Sequence, residues 1–223
     1  MSDLPQGPLL EFCVDSVETA RGAAAAGADR IELCGPSLGG VTPERALLHA
    51  VLAAVTRPVH VMIRPREGNF VYHEAEFEQM LAATLEAKQA GAAGVVFGVL
   101  HADGTIDAAR MAQLIREARP LRVACHRAFD ATPDADAALQ TLLGLGVEIV
   151  LTAGHAPTAL DGAAVLARHQ RTAGTRLEIL AGGGVRAANV HALLAASGVR
   201  AVHARGLDPD VVRALAAALG RLP

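Results

Sequence analysis

Between Val59 and Arg64 the chain alternates with a period of two, Val59, Val61 and Ile63 interleaving with His60, Met62 and Arg64. A strand with that pattern turns one apolar face to a core and lines its other face with a His, a Met and an Arg. Pro65 then ends regular pairing, Arg66 keeps the parity of Arg64, and Gly68-Asn69 marks a loop, so two guanidinium groups are expected at the carboxyl end of the strand. The same alternation governs Leu9–Val14, where Leu10, Phe12 and Val14 oppose Glu11, Cys13 and Asp15, and Arg30–Cys34, where Ile31 and Leu33 oppose Glu32 and Cys34. Two successive strands therefore carry a Glu and then a Cys at matching positions of their polar faces.

Helical stretches with capping signals separate the strands. Asp15 or Ser16 caps a helix over Val17–Ala26 closed by Gly27, and Thr42 with Pro43 at the first helical position starts another that runs to about Val55. Further helices are expected over Glu74–Ala90, after Asp107 through Ala118, over about Asp134–Leu143, after Gly154 through about Arg171, from near Ala187 to Gly198, and from Pro209 onward. Between them lie strands over Val95–Leu100, Arg122–Arg127, Glu148–Thr152, Leu177–Ala181 and Val199–Arg205. Strand then helix, repeated about eight times without a long structureless linker, predicts an α/β chain folded as a (β/α)8 TIM barrel. The expected organisation is a disordered or extended tail over residues 1–8 and a single barrel domain over residues 9–223. Helices cover the outside of such a barrel, so Leu10, Phe12, Ile31, Leu33, Val59, Val61 and Ile63 should point out. Glu11, Cys13, Glu32, Cys34, His60, Met62 and Arg64 should point in.

Composition narrows the partners. The 223 residues are 52% hydrophobic with a formal charge of −3 and only 3% aromatic, which argues against nucleic-acid binding for want of bulk attraction and of stacking platforms. Apolar runs are broken before membrane-spanning length, and residues 1–8 lack the basic start and apolar core of a secretory signal, so a cytoplasmic protein without a membrane partner is expected. Lys88, the sole lysine, lies in a helical stretch, which removes nearly every Schiff-base mechanism. Cys13, Cys34 and Cys125 form neither a C-x-x-C pair nor a disulfide scaffold, as suits a reducing compartment. No nucleotide cofactor is expected.

Ionisable residues on consecutive inward positions depart from the usual Val, Ile and Leu filling of a barrel. One reading makes them a site and the other a buried ion-pair network of Glu11 and Glu32 against Arg64. As a site, Arg64 and Arg66 would hold a small anion through paired donors, with Gly182, Gly183 and Gly184 offering bare backbone N–H groups before a helix. Glu11 or Glu32 would act as base and His126 as acid, with Asp130 or a glutamate setting its tautomer, on a small phosphorylated or carboxylated metabolite. Cys13 and Cys34 are the metal candidates, with Met62, His60 and His203 as helpers, and this soft donor set suits Cu(I). His49, His73, His155, His169 and His191 are expected in solvated positions.

Several ordered motifs carry a family resemblance: Glu11-Phe-Cys-Val-Asp-Ser16, Gly27-Ala-Asp-Arg-Ile-Glu-Leu-Cys34, Gly39-Gly-Val-Thr-Pro43, Val59 through Arg66, Phe97-Gly-Val-Leu100, Asp103-Gly-Thr-Ile-Asp107, His126-Arg-Ala-Phe-Asp130 and Ala181-Gly-Gly-Gly-Val185. Together they resemble the copper homeostasis protein CutC family over nearly the whole chain. The resemblance implies a cytoplasmic TIM barrel that forms homo-oligomers, serves copper tolerance and binds Cu(I) by cysteine. The chain departs from the family pattern at Glu67, Asn69, Cys125 and Arg205. Two functions stand open: a copper-binding homeostasis protein, and a barrel that acts on, or is regulated by, a small anionic ligand.

Overall fold

The computed structural model describes residues 7–37 and 39–221, so most of the predicted tail, residues 1–6, lies outside the described residues. Eight parallel strands close into a barrel in sequence order. They are β1 (Leu9–Val14), β2 (Arg30–Leu33), β3 (Val59–Met62), β4 (Gly94–Phe97), β5 (Arg122–Cys125), β6 (Ile149–Thr152), β7 (Glu178–Gly182) and β8 (Ala201–Arg205). Each is followed by a helix: α1 (Val17–Ala25), α2 (Arg45–Ala54), α3 (Glu74–Gln89), α4 (Ala108–Ala118), α5 (Ala135–Leu145), α6 (Ala163–Ala173), α7 (Val190–Ser197) and α8 (Pro209–Ala218). The predicted (β/α)8 class is the observed one.

Strand parity sorts the interior from the helix-facing layer as expected. Leu10, Phe12, Ile31, Leu33, Val59, Val61 and Ile63 belong to one large buried cluster shared with the helices. A second, smaller cluster inside the barrel contains Cys34, Met62, Val96, Ala124, Ile149, Leu151, Leu180 and Ala201. Apolar side chains thus fill the interior mainly from β4 to β7, and the ionisable and sulfur-bearing ones gather on β1, β2, β3 and β8. Removing Phe12, fully buried between strand and helices, would cost about 3–5 kcal/mol by the usual cavity penalty.

Several boundaries differ from expectation for local reasons. Ser16, not Asp15, caps α1, its side chain accepting from the Thr19 N–H. Thr42 does not cap α2: its hydroxyl accepts from the Arg64 N–H, and the helix begins at Arg45 behind Glu44. β4 ends at Phe97, and the next residue, Gly98, lies against the His126 ring, where a Cβ would be 2.9 Å from Nδ1. The helix expected after Gly154 begins only at Ala163. Gly154 and His155 have left-handed φ angles of 71° and 55°, which no helix accommodates. His169, expected in solvent, is fully buried with its ring 5.6 Å from that of Phe129, and its Nε2 lies 3.1 Å from Asp136 Oδ1.

Candidate functional site

Register decides which inward side chains meet. Glu11 pairs with Arg30 across β1–β2 and with His203 across β1–β8, while Cys13 has Glu32 and Arg205 as the corresponding neighbours. Accordingly Arg30 Nε donates to Glu11 Oε2, and its Nη2 donates to Glu178 Oε1 at 2.8 Å. His203 Nδ1 lies 2.7 Å from Glu11 Oε1, and its Nε2 lies 3.8 Å from Glu32 Oε2. The anticipated pairing of Glu11 and Glu32 with Arg64 therefore does not form; the partner is Arg30, whose inward parity on β2 was legible.

These contacts pull the two carboxyls apart in acidity. Burial by itself would raise Glu11, but the charge of Arg30 and the His203 ring more than offset it and hold that carboxyl well below the usual range. Glu32 is pushed well above its ordinary value, chiefly by burial. Burial opposes the charged form of His203, yet Glu32 and Glu11 raise it overall. Glu11, His203 and Glu32 thus form a chain from the barrel interior towards its mouth, the first carboxyl made more acidic, the imidazole more basic and the second carboxyl less acidic. His60 lies deeper, packed against Gly94, and burial lowers it to about 3.

Cys13 and Cys34 meet at the mouth with their sulfurs 3.4 Å apart, and Cys34 Sγ is 3.6 Å from Glu32 Oε2. One ligand atom each from Cys13, Glu32 and Cys34 falls within 4.8 Å of the others. Cys13 is half-buried and Cys34 buried, and the pair divides its protons unequally. The hydrogen bond with Cys34 lowers Cys13 against the effect of burial, whereas that same bond and burial raise Cys34. Met62 joins them: a Cβ added at Gly40 would lie 3.2 Å from Cys34 Sγ and 3.8 Å from Met62 Cε.

Above these groups is a cavity of about 430 Å³, within the range of small-ligand sites. Cys13, Cys34, Glu32, Met62 and His203 line one part of it, and His126, Arg64, Arg127, Gly183 and Gly184 line others. The His126 ring is buried, and its Nδ1 accepts the Ala128 N–H at 3.1 Å, so the neutral ring carries its proton on Nε2. Burial, helped by the Arg64 charge, lowers this histidine to about 3. It is consequently a neutral donor rather than a cationic acid.

The remaining predicted residues are divided between the cavity and the scaffold. Arg64 lines the cavity, but its Nη1 donates to Gly39 O at 2.5 Å and its Nη2 to Gly68 O at 2.9 Å. Arg66 turns away: its Nε donates to Glu76 Oε1 at 2.5 Å and its Nη2 to Val71 O at 2.8 Å, which secures the loop before α3. Asp130 does not orient His126. It accepts from the Thr152 hydroxyl and, at 2.9 Å, from the Ala153 N–H, tying the β5 loop to the end of β6. Gly182 ends β7 inside the barrel, where a Cβ would be 2.5 Å from Leu151 Cδ1, and Gly183 and Gly184 have left-handed φ angles of 113° and 70°.

A model of the CutC family matches residues 8–207. The chain belongs to the CutC family. Among its CutC relatives, a protein of Homo sapiens called copper homeostasis protein cutC homolog is 48% identical over 198 residues, 88% of this chain and 72% of its own length. A family protein CutC of Mesorhizobium japonicum is 45% identical over 209 residues, 92% of this chain and 81% of its own. A CutC crystal structure from Streptococcus agalactiae has a TM-score of 0.83 at 30% identity and covers 88% of this chain and 97% of that one. Seen as a CutC barrel, the site has two residues that spacing alone did not single out. Arg30 shares the inward parity of Glu32, and Arg127 directly follows His126 in the quoted motif. No helix of the described residues is long and apolar enough to cross a membrane.

Proposed function

We propose that this CutC-family chain serves copper homeostasis in the cytoplasm by holding Cu(I) between Cys13 and Cys34 at the barrel mouth. The observation that carries this reading is the 3.4 Å sulfur contact at the edge of the cavity, with the Met62 thioether alongside. Thiolate and thioether donors are soft and favour Cu(I) over the hard divalent cations. A metal about 2.3 Å from each sulfur would subtend roughly 95° at this separation, so a bent site calls for a third donor. Met62 and Glu32 stand beside the pair. A linear site would instead need the sulfurs to separate to about 4.6 Å.

The proton inventory gives the reading a second observable. Cys34, raised by its bond to Cys13 and by burial, has to lose its proton when both sulfurs bind as thiolates. Cu(I) affinity, measured by competition with a chromophoric chelator, is therefore expected to weaken as pH is lowered, because protons compete with the metal for the sulfurs. Cys13→Ser with Cys34→Ser is expected to abolish tight binding while thermal unfolding still reports a folded barrel. Unchanged affinity in that folded double variant would overturn the reading.

A further inference from the structure

The cavity has a second wall that the copper reading leaves unused. Arg127 Nε donates to Asp130 Oδ2 at 2.8 Å, which fixes the guanidinium on its rear edge. Among the described residues its two Nη groups have no hydrogen-bond partner, and Nη1 lies 3.5 Å from where a Cβ of Gly183 would stand. The turn after β7 is closed by Asn189, whose side chain accepts from the Arg186 N–H and donates to Gly184 O, both at 2.8 Å. Among the described residues the intervening N–H groups of Gly184 and Val185 have no partner. The guanidinium edge and two backbone donors thus line the same cavity.

An independent observation also points to a ligand. His126 Nε2, which bears the ring proton, is buried without a partner, and His126 lines this cavity. A buried donor left unpaired costs about 1–3 kcal/mol, a cost removed when a ligand oxygen accepts from it. A planar carboxylate offers two acceptor atoms, whereas a phosphate monoester offers three terminal oxygens to paired guanidinium and backbone donors. The loops after the seventh and eighth strands are the recurrent phosphate-binding position in barrels of this kind.

We propose that the cavity binds a small phosphorylated molecule. Its phosphate is held by the Nη edge of Arg127 and the N–H groups of Gly184 and Val185, and an oxygen of its organic part accepts from His126 Nε2. This keeps the glycine half of the anion site expected at Arg64, Arg66 and Gly182 to Gly184, and puts Arg127 in the place of Arg64 and Arg66 as its guanidinium. It does not depend on copper, because neither sulfur takes part.

The test is a titration of the ¹⁵N-labelled full chain with inorganic phosphate at constant ionic strength, with malonate as the carboxylate control. Saturable shifts are expected at the Gly184 and Val185 amides in the wild type and equally in the Cys13→Ser, Cys34→Ser variant. Arg127→Ala, at an exposed position, should weaken phosphate binding about tenfold or more. In a panel of short sugar phosphates, at least one should bind about tenfold tighter than inorganic phosphate and lose that advantage in His126→Asn. Absence of saturable phosphate shifts, an unaffected Arg127→Ala, equal binding of malonate, or a panel with no ester tighter than phosphate would overturn the proposal. Loss of copper binding alone leaves all of these results unchanged, so the two readings fail separately.

Discussion

Glu11 is buried between a guanidinium and an imidazole, and the barrel interior is arranged around its charge. Glu11→Gln would leave Arg30 with Glu178 as its remaining carboxylate partner, inside a site with little water to replace the lost charge. Urea unfolding is expected to show a loss of about 3–5 kcal/mol, the usual cost of breaking a buried pair from one side. Pairing the change with Arg30→Met should recover a large part of it; a double variant no more stable than the single would mean that the guanidinium is not the destabilising element. The inward direction of Glu11, Cys13, Glu32 and Cys34 was readable from strand parity, because side chains alternate with a fixed period of two. Their partners were not. Parity places a residue on a face, and only the register between strands places Arg30 rather than Arg64 beside Glu11.

Among the elements, the joint between β5 and β6 shows how a motif residue supports a site without entering it. Asp130 lies in a single 3-10 turn after β5 and accepts from Thr152, Ala153, His155 and Arg127. Asp130→Ala would strand several of these donors and release the Arg127 guanidinium, with an expected destabilisation of about 2 kcal/mol or more. A thermal melt unchanged from wild type would show that the joint holds without it. The sequence placed Asp130 near His126 because they share a motif, but Asp130 bonds to Thr152, Ala153, His155 and Arg127, and the His126 Nδ1 bonds to the Ala128 N–H. The late start of α6 has a comparable origin: a Cβ at Gly162 would come within 1.9 Å of Ala153 O, so the β6 loop folds back on itself before a helix can begin. Helix periodicity cannot register such a backbone-to-backbone approach.

For the molecule as a whole, buried neutral histidines govern the acid limb of stability. His60 and His126 both fall to about 3 from an ordinary value of 6.5. Below 6.5 the unfolded chain takes up protons that the native state refuses, so each residue removes stability as pH falls towards about 3. Glu11 adds to the loss in the lower part of the range, since its depressed carboxyl stabilises the fold above 4.5 and not once it is protonated. His203 and Glu32, both raised, act in the opposite sense. Comparing wild type with His126→Asn cancels these shared contributions. Between pH 6.5 and 4.5 the variant is expected to lose roughly 2–3 kcal/mol less than the wild type in urea unfolding. Parallel losses in the two proteins would mean that His126 is protonated in the native state.

Sequence by itself determined the repeated strand-helix order, the inward faces of β1 to β3 and the presence of two cysteines and two glutamates on them. Those features are local: they depend on side-chain period, caps and turn residues that neighbouring positions fix. Tertiary structure decided which groups meet. Closing β8 onto β1 brought His203 to Glu11, and the neighbouring register of β1 and β2 put the two sulfurs in contact. The loop after β3 turned Arg66 outward to Glu76, and the joint between β5 and β6 held Arg127 at the β7 turn. These contacts join residues far apart in the chain, and their distances follow from barrel closure and loop path, which no local pattern encodes.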